Sequence, residues 1–112
     1  EFSVFSGNDD EILSLMATGA EGVISVASNI DPETVSILVE NIRQGNINIS
    51  ASIHHKLSPL FKACFVESNP IPVKEALSQM GLIQNILRPP LYKANGSTAG
   101  IMAETLKSLK LI

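Results

Sequence analysis

His54 and His55 are the most obvious candidates for binding a metal, but their adjacency works against it. On a helix they point about 100° apart and cannot chelate one ion together. No carboxylate or thiol stands at ligand spacing beside them, so solvent exposure is the default reading and no metal site is expected. Asp9, Asp10 and Glu11 form the densest acidic cluster, and three acids in a row suit the positive end of a helix more simply than they suit a cation. The single cysteine, Cys64, has no intrachain disulfide partner. Its neighbours Ala63, Phe65 and Val66 point to a small buried thiol in a reducing compartment, so the cytoplasm is the expected setting. Asn69 stands before a proline, where a turn residue is the simple reading and a polar group reaching towards a substrate the alternative. No glycine-rich phosphate loop occurs, and no cofactor is expected.

The elements that must position these residues can be read from periodicity. Phe2 to Ser6 is a strand-like run, Ser6 to Asp10 a turn, and Ile12, Leu13, Leu15 and Met16 the apolar side of a helix ending before Gly19. Gly22 to Ala27 is β-branched and small, the composition of a strand buried on both faces. Asp31 suits an N-cap and Pro32 the first helical position of a second helix, in which Val35, Leu38, Val39 and Ile42 recur at helical spacing up to Gly45. Strand and helix alternating over such lengths imply parallel pairing and a right-handed crossover. After Gly45 the pattern becomes helical throughout. Ile49, Ile53, Leu57, Leu60 and Phe61 mark a third helix containing Pro59, a short helix runs from Pro72 to about Met80 with Gly81 ending it, and a last one spans about Thr98 to Leu109. Residues Leu82 to Gly96 look irregular.

Of the 112 residues 45% are apolar, enough for a buried core, and Lys+Arg 8 against Asp+Glu 11 gives a formal charge of -3. The basic residues are scattered, which leaves nucleic acid without an electrostatic footprint. Gly22 to Ile30 is far shorter than the roughly 20 apolar residues of a spanning helix, so no membrane association is expected. The sequence opens inside a strand-like run, Glu1-Phe2-Ser3-Val4-Phe5, and its mean hydropathy of +0.24 is high for a soluble chain with few aromatics. Together these read as a piece whose apolar surfaces expect neighbours.

Three blocks carry a resemblance to a known family: Phe2-Ser3-Val4-Phe5-Ser6-Gly7-Asn8-Asp9-Asp10, Gly22-Val23-Ile24-Ser25-Val26-Ala27-Ser28-Asn29, and Phe65-Val66-Glu67-Ser68-Asn69-Pro70-Ile71-Pro72-Val73-Lys74. In order and spacing the chain resembles the dihydrodipicolinate synthase family. The Asn-Pro-Ile-Pro-Val-Lys string is the most specific part, and Leu87-Arg88-Pro89-Pro90-Leu91 is similar to the family's Leu-Arg-Leu-Pro segment with one substitution. The implied fold class is α/β: the last two strand-helix units of a TIM (β/α)8 barrel, residues 1–45, followed by a C-terminal all-α extension of about three helices, residues 46–112.

The resemblance implies an enzyme that forms a Schiff base between a lysine on the sixth barrel strand and pyruvate, the enamine then attacking L-aspartate 4-semialdehyde. That strand is not in this sequence. Lys56, Lys62, Lys74, Lys93, Lys107 and Lys110 all fall in a predicted helix or the tail, and none resembles a barrel-interior nucleophile of lowered pKa. No catalytic residue is therefore expected in this chain, Tyr92 included, and the chain alone is expected to be inactive. What remains is pocket wall at the C-terminal ends of strands. By the resemblance, Gly7 and Asn8 line the aldehyde side, the Ile24 backbone carbonyl faces pyruvate while its side chain is core, and Asn69 reaches towards the substrate. The simpler reading of Ser6 to Asp10 is a turn that caps a helix.

The partners so implied are the rest of the barrel and further copies of the chain in a homo-oligomer. Apolar side chains facing a missing barrel each forfeit about 1.5 to 3 kcal/mol of burial, which should drive self-association, rearrangement or retention of the other part. Two other readings stay open. One is a sister aldolase of the N-acetylneuraminate lyase or 2-keto-3-deoxy sugar acid type, against which the Asn69 to Lys74 string counts. The other is a non-catalytic helical interaction module docking through Ile12 to Met16 or the last helix, which leaves the two strands without explanation.

Overall fold

Two strands separated by a helix can return in the same direction, and β1 (Phe5–Ser6) and β2 (Gly22–Val23) do so, pairing parallel with Phe5 opposite Gly22 and Ser6 opposite Val23. In this computed structural model, which describes residues 2–112, Glu1 of the expected opening run lies outside the described residues. The ladder is extended by the Glu21 amide donating to the Val4 carbonyl at 2.8 Å and the Ile24 amide donating to the Ser6 carbonyl at 2.9 Å. Between the strands lies α1 (Ile12–Ala17), entered through a single 3-10 turn at Asp9–Glu11. A second 3-10 turn, Ala27–Asn29, leads from β2 to α2 (Pro32–Arg43), and α3 (Ile47–Ala63), α4 (Ile71–Gln79) and α5 (Gly96–Ser108) complete the order.

Both strands are much shorter than the runs that predict them. Gly22 to Ala27 is not buried on both faces: Ile24 is 71% exposed, and Phe2, Val4 and Phe5 are exposed too. The reason is partnership, since among the described residues no third strand pairs with either one. A β-branched run can extend its ladder only as far as another backbone accompanies it.

The chain divides into two compact units, the first ending at Ser58 and the second being Pro59–Ile112. The units therefore part within α3, whereas the change from α/β to helix alone falls after Gly45. In the first unit α1 packs against α2. Ile12 and Met16, one turn apart, are buried from α1, while Leu13 is half-buried and Leu15 exposed, so only part of the expected apolar side reaches the core. From α2 the stripe Val35, Leu38 and Ile42 is buried, each such side chain contributing about 1.5 to 3 kcal/mol. Asp31 caps α2 by accepting from the Thr34 amide at 3.0 Å, Pro32 occupies the first turn, and Gly45 closes it with φ of +77°, a value only glycine adopts without strain.

Helix α3 runs through Pro59. Leu57, Leu60 and Phe61 of the expected stripe are buried, but at its start Ser50 is buried and Ile49 exposed. Ser50 tolerates burial because its hydroxyl donates to the Asn46 carbonyl at 2.9 Å. In the second unit α4 packs against α5, with Ile71, Val73, Ala76, Met102 and Leu106 buried. Glu75 of α4 joins the pieces: its carboxylate accepts from Gln79 Nε2 at 2.8 Å and from Asn85 Nδ2 at 2.5 Å, and Gln79 Nε2 also donates to the Ala99 carbonyl at 3.0 Å. Asn95 caps α5 by accepting from the Thr98 amide at 2.9 Å, so this helix starts earlier than expected, and Ile101 on it is exposed. Cys64 is buried and in no disulfide.

Replacing Asp31 by Ala removes the acceptor for the Thr34 amide, and the expected loss is about 1 kcal/mol of stability. Urea denaturation of the variant beside the parent measures it, and an unchanged midpoint would remove the cap from this account.

Candidate functional site

The C-terminal ends of β1 and β2 meet at one edge of the first unit, and the backbone there is held by side chains. Ser6 ends β1 and is fully buried. Its hydroxyl donates to the Asn8 carbonyl at 2.8 Å and accepts from the Asn8 amide at 3.2 Å, folding the turn around Gly7. Gly7 and Asn8 are exposed, and open space surrounds the Gly7 α-carbon where a side chain would stand. The Asn8 side chain is engaged locally, Nδ2 donating to Glu11 Oε2 at 2.9 Å.

Asp9 turns the other way and is 1% exposed. Its Oδ2 accepts from the Val26 amide at 2.9 Å and the Ala27 amide at 3.1 Å, and its Oδ1 accepts a short hydrogen bond from the Ser25 hydroxyl. Ser25 Oγ also accepts from the Ser28 amide at 2.9 Å, which closes the 3-10 turn on itself. A carboxylate with three donors is thus the clasp between the turn after β1 and the turn after β2. Ile24 immediately precedes the clasped turn. Its amide is bound to Ser6, no described residue donates to its carbonyl oxygen, and its side chain is exposed rather than core as expected.

The structure brings Gly7, Asn8 and Ile24 together at these strand ends. Asn69 lies in the second unit, exposed and joined by a cis peptide bond to Pro70 at the start of α4. Asp9 stands with Asp10 and Glu11 in the first turn of a 3-10 helix, as expected, but its long-range contacts to the turn after β2 are what sequence reasoning missed. A signal existed in Ser25, a hydroxyl within an otherwise apolar run, but its partner stands sixteen residues away. None of the six lysines is buried: Lys74 is half-buried and the rest are exposed, with Lys93 lying between helices rather than in one. Tyr92 is exposed as well.

His54 departs from its expected exposure. It is half-buried, its ring 6.1 Å from that of His55 and nearly perpendicular to it. Burial lowers its pKa from the ordinary 6.5, the His55 charge lowers it further, and the Asp10 carboxylate partly opposes both. No helix is long and apolar enough to cross a membrane among the described residues.

Residues 1–109 match the profile of the Dihydrodipicolinate synthetase family. The chain is 52% identical over 111 residues to the 4-hydroxy-tetrahydrodipicolinate synthase of Thermosipho melanesiensis, an alignment covering 99% of this chain and 38% of that protein. The crystal structure of dihydrodipicolinate synthase from Thermotoga maritima superposes with a TM-score of 0.97 at 47% identity, covering 99% of this chain and 38% of that one. The enzyme from Aquifex aeolicus superposes at 0.96 with 41% identity, covering 98% and 38% respectively. The chain thus spans well under half the length of the relatives it matches.

Two outcomes test the clasp and the histidine. Asp9→Ala leaves the Ser25, Val26 and Ala27 donors without their acceptor, at about 1 to 3 kcal/mol each, so a loss of about 3 kcal/mol or more is expected. Asp9→Asn, which keeps one acceptor oxygen, should lose less, and urea denaturation showing the opposite ranking would refute the clasp. For His54, the lowered folded pKa means that the unfolded chain binds the proton more readily. Its stabilising contribution is therefore complete above 6.5 and is lost as pH falls below that value. Unfolding free energies measured on either side of that pH should show the decline, and His54→Gln should flatten it.

Proposed function

We propose a function for this chain from one premise: it belongs to the dihydrodipicolinate synthetase family. The chain contributes a portion of a pyruvate-dependent lyase, one that condenses pyruvate with L-aspartate 4-semialdehyde in the diaminopimelate and lysine pathway. Residues 1–45 supply the last two βα units of the (β/α)8 barrel and residues 46–112 its helical C-terminal extension. The observation that carries this placement is the order of elements. Two parallel strands joined at their C-terminal ends by Asp9 are followed by helices alone, with no strand after β2 among the described residues. A stretch from the front of a barrel would have to supply a third strand after α2.

The exposed side chains of Phe2, Val4, Phe5 and Ile24 fit a surface that expects the other strands. So does a cavity of about 380 Å³ flanked by Phe5, Val23, Val35, Val39 and Arg43, which a neighbouring βα unit would fill. In this assembly Gly7 and Asn8 form the aldehyde side of the pocket, and the Ile24 carbonyl, with no donor of its own, faces the pyruvate adduct. Asn69, in the second unit, is the other residue to which the resemblance gives a substrate-facing role. The Schiff-base lysine, the proton-relaying tyrosine and the carboxylate-holding arginine come from the remaining six units. No cofactor enters the reaction, the working enzyme is a homo-oligomer, and a reduced, buried Cys64 suits the cytoplasm.

Fused behind the first six βα units of the Thermotoga maritima enzyme, in place of that enzyme's own last units and extension, this chain should restore pyruvate-dependent turnover. Fused in front of them it should not, and activity in the second arrangement alone would reverse the placement. Borohydride trapping of the separate chain with pyruvate should leave its mass at 12.0 kDa. A pyruvate adduct on the separate chain would mean that one of its own lysines does the chemistry.

A further inference from the structure

We propose that the second unit carries a binding site for a short-chain carboxylate, in a cleft between the start of α4 and the segment that follows that helix. The cleft encloses about 280 Å³ and is lined by Pro70, Lys74, Leu87, Arg88 and Leu91. Two of these five are cations and none is an acid, so charge at the cleft is uncompensated by its own walls.

The cations are disposed to bind. Lys74 Nζ donates to the Ile86 carbonyl at 2.5 Å, which tethers the ammonium to the far wall and leaves its other N–H donors for a ligand. Arg88 follows two residues later on the same wall. Its guanidinium has no hydrogen-bond or ion-pair partner among the described residues, so the planar fork that matches a carboxylate is unused. Two positive charges held beside one small cleft repel each other, and a bound anion converts that repulsion into attraction on both sides.

The apolar lining selects among anions. The side chains of Pro70, Leu87 and Leu91 offer no donor to replace the water around sulfate or phosphate, but they can cover a hydrocarbon segment. The volume falls just below the roughly 300 to 1,000 Å³ of pockets that bury drug-sized ligands, which suits an acid of a few carbons. None of the lining residues is Gly7, Asn8, Ile24 or Asn69, although Asn69 directly precedes Pro70, so the proposal rests on residues other than those of the proposed pocket wall.

Succinate is a suitable probe, titrated into the isotope-labelled chain at constant ionic strength and followed by amide chemical shifts, with sulfate as control. Saturable shifts centred on residues 70–91 are expected. Arg88→Gln, a change at an exposed position, should weaken them about tenfold or more, and Lys74→Met should weaken them as well. Absence of saturable binding, equal binding of sulfate, or undiminished affinity in Arg88→Gln would each overturn the proposal.

Discussion

A buried carboxylate is costly unless every lone pair in reach is used, and Asp9 meets that condition by reaching across to the next strand. Its two oxygens serve the Ser25 hydroxyl and the Val26 and Ala27 amides, which would otherwise open a 3-10 turn with unsatisfied donors. One residue thereby fixes where the chain leaves β1 and where it leaves β2. The two-residue strands alone, joined by a handful of ladder bonds, would hold neither position. The backbone at Gly7 and Ile24 is consequently anchored on both sides by hydrogen bonds while both residues remain exposed.

The same short ladder explains why this sheet differs from its sequence. β-branched residues prefer an extended backbone, but a strand is finished only by its neighbours, and each strand here has one. Side chains chosen for an interior, Phe2 at 88% exposure and Ile24 at 71%, therefore face outward. The helices suffer less, because each completes its own hydrogen bonds and needs a partner only along one stripe. This asymmetry between strands and helices accounts for well-formed packing of α4 on α5 within the second unit while the sheet of the first is reduced to its seed.

In the second unit, polar side chains carry what periodicity cannot. Glu75 ties α4 to the irregular segment through Asn85, and Gln79 ties α4 to α5 through the Ala99 carbonyl. The segment after Gly81 is thus held at defined points without regular structure, and Lys74 adds another by binding the Ile86 carbonyl. These contacts shape the cleft in which Lys74 and Arg88 stand together.

By itself the sequence determined what local chemistry can determine. Asp31 and Pro32 start α2, Gly45 and Gly81 close helices with positive φ, and Val35, Leu38 and Ile42 recur at the period that buries them. It also carried the family, through strings such as Asn69 to Lys74 that few other chains would contain in that order. Tertiary structure alone decided the rest. Whether Asp9, Asp10 or Glu11 would turn inward depended on donors sixteen to eighteen residues away, and three neighbouring acids offer no local signal to separate them. Whether Ile49 or Ser50 would be buried depended on helix register against the core, and the half-burial of His54 followed from the same packing. Caps and periods are written within a few residues of one another, whereas burial and long-range hydrogen bonds belong to pairs of elements that only folding brings together.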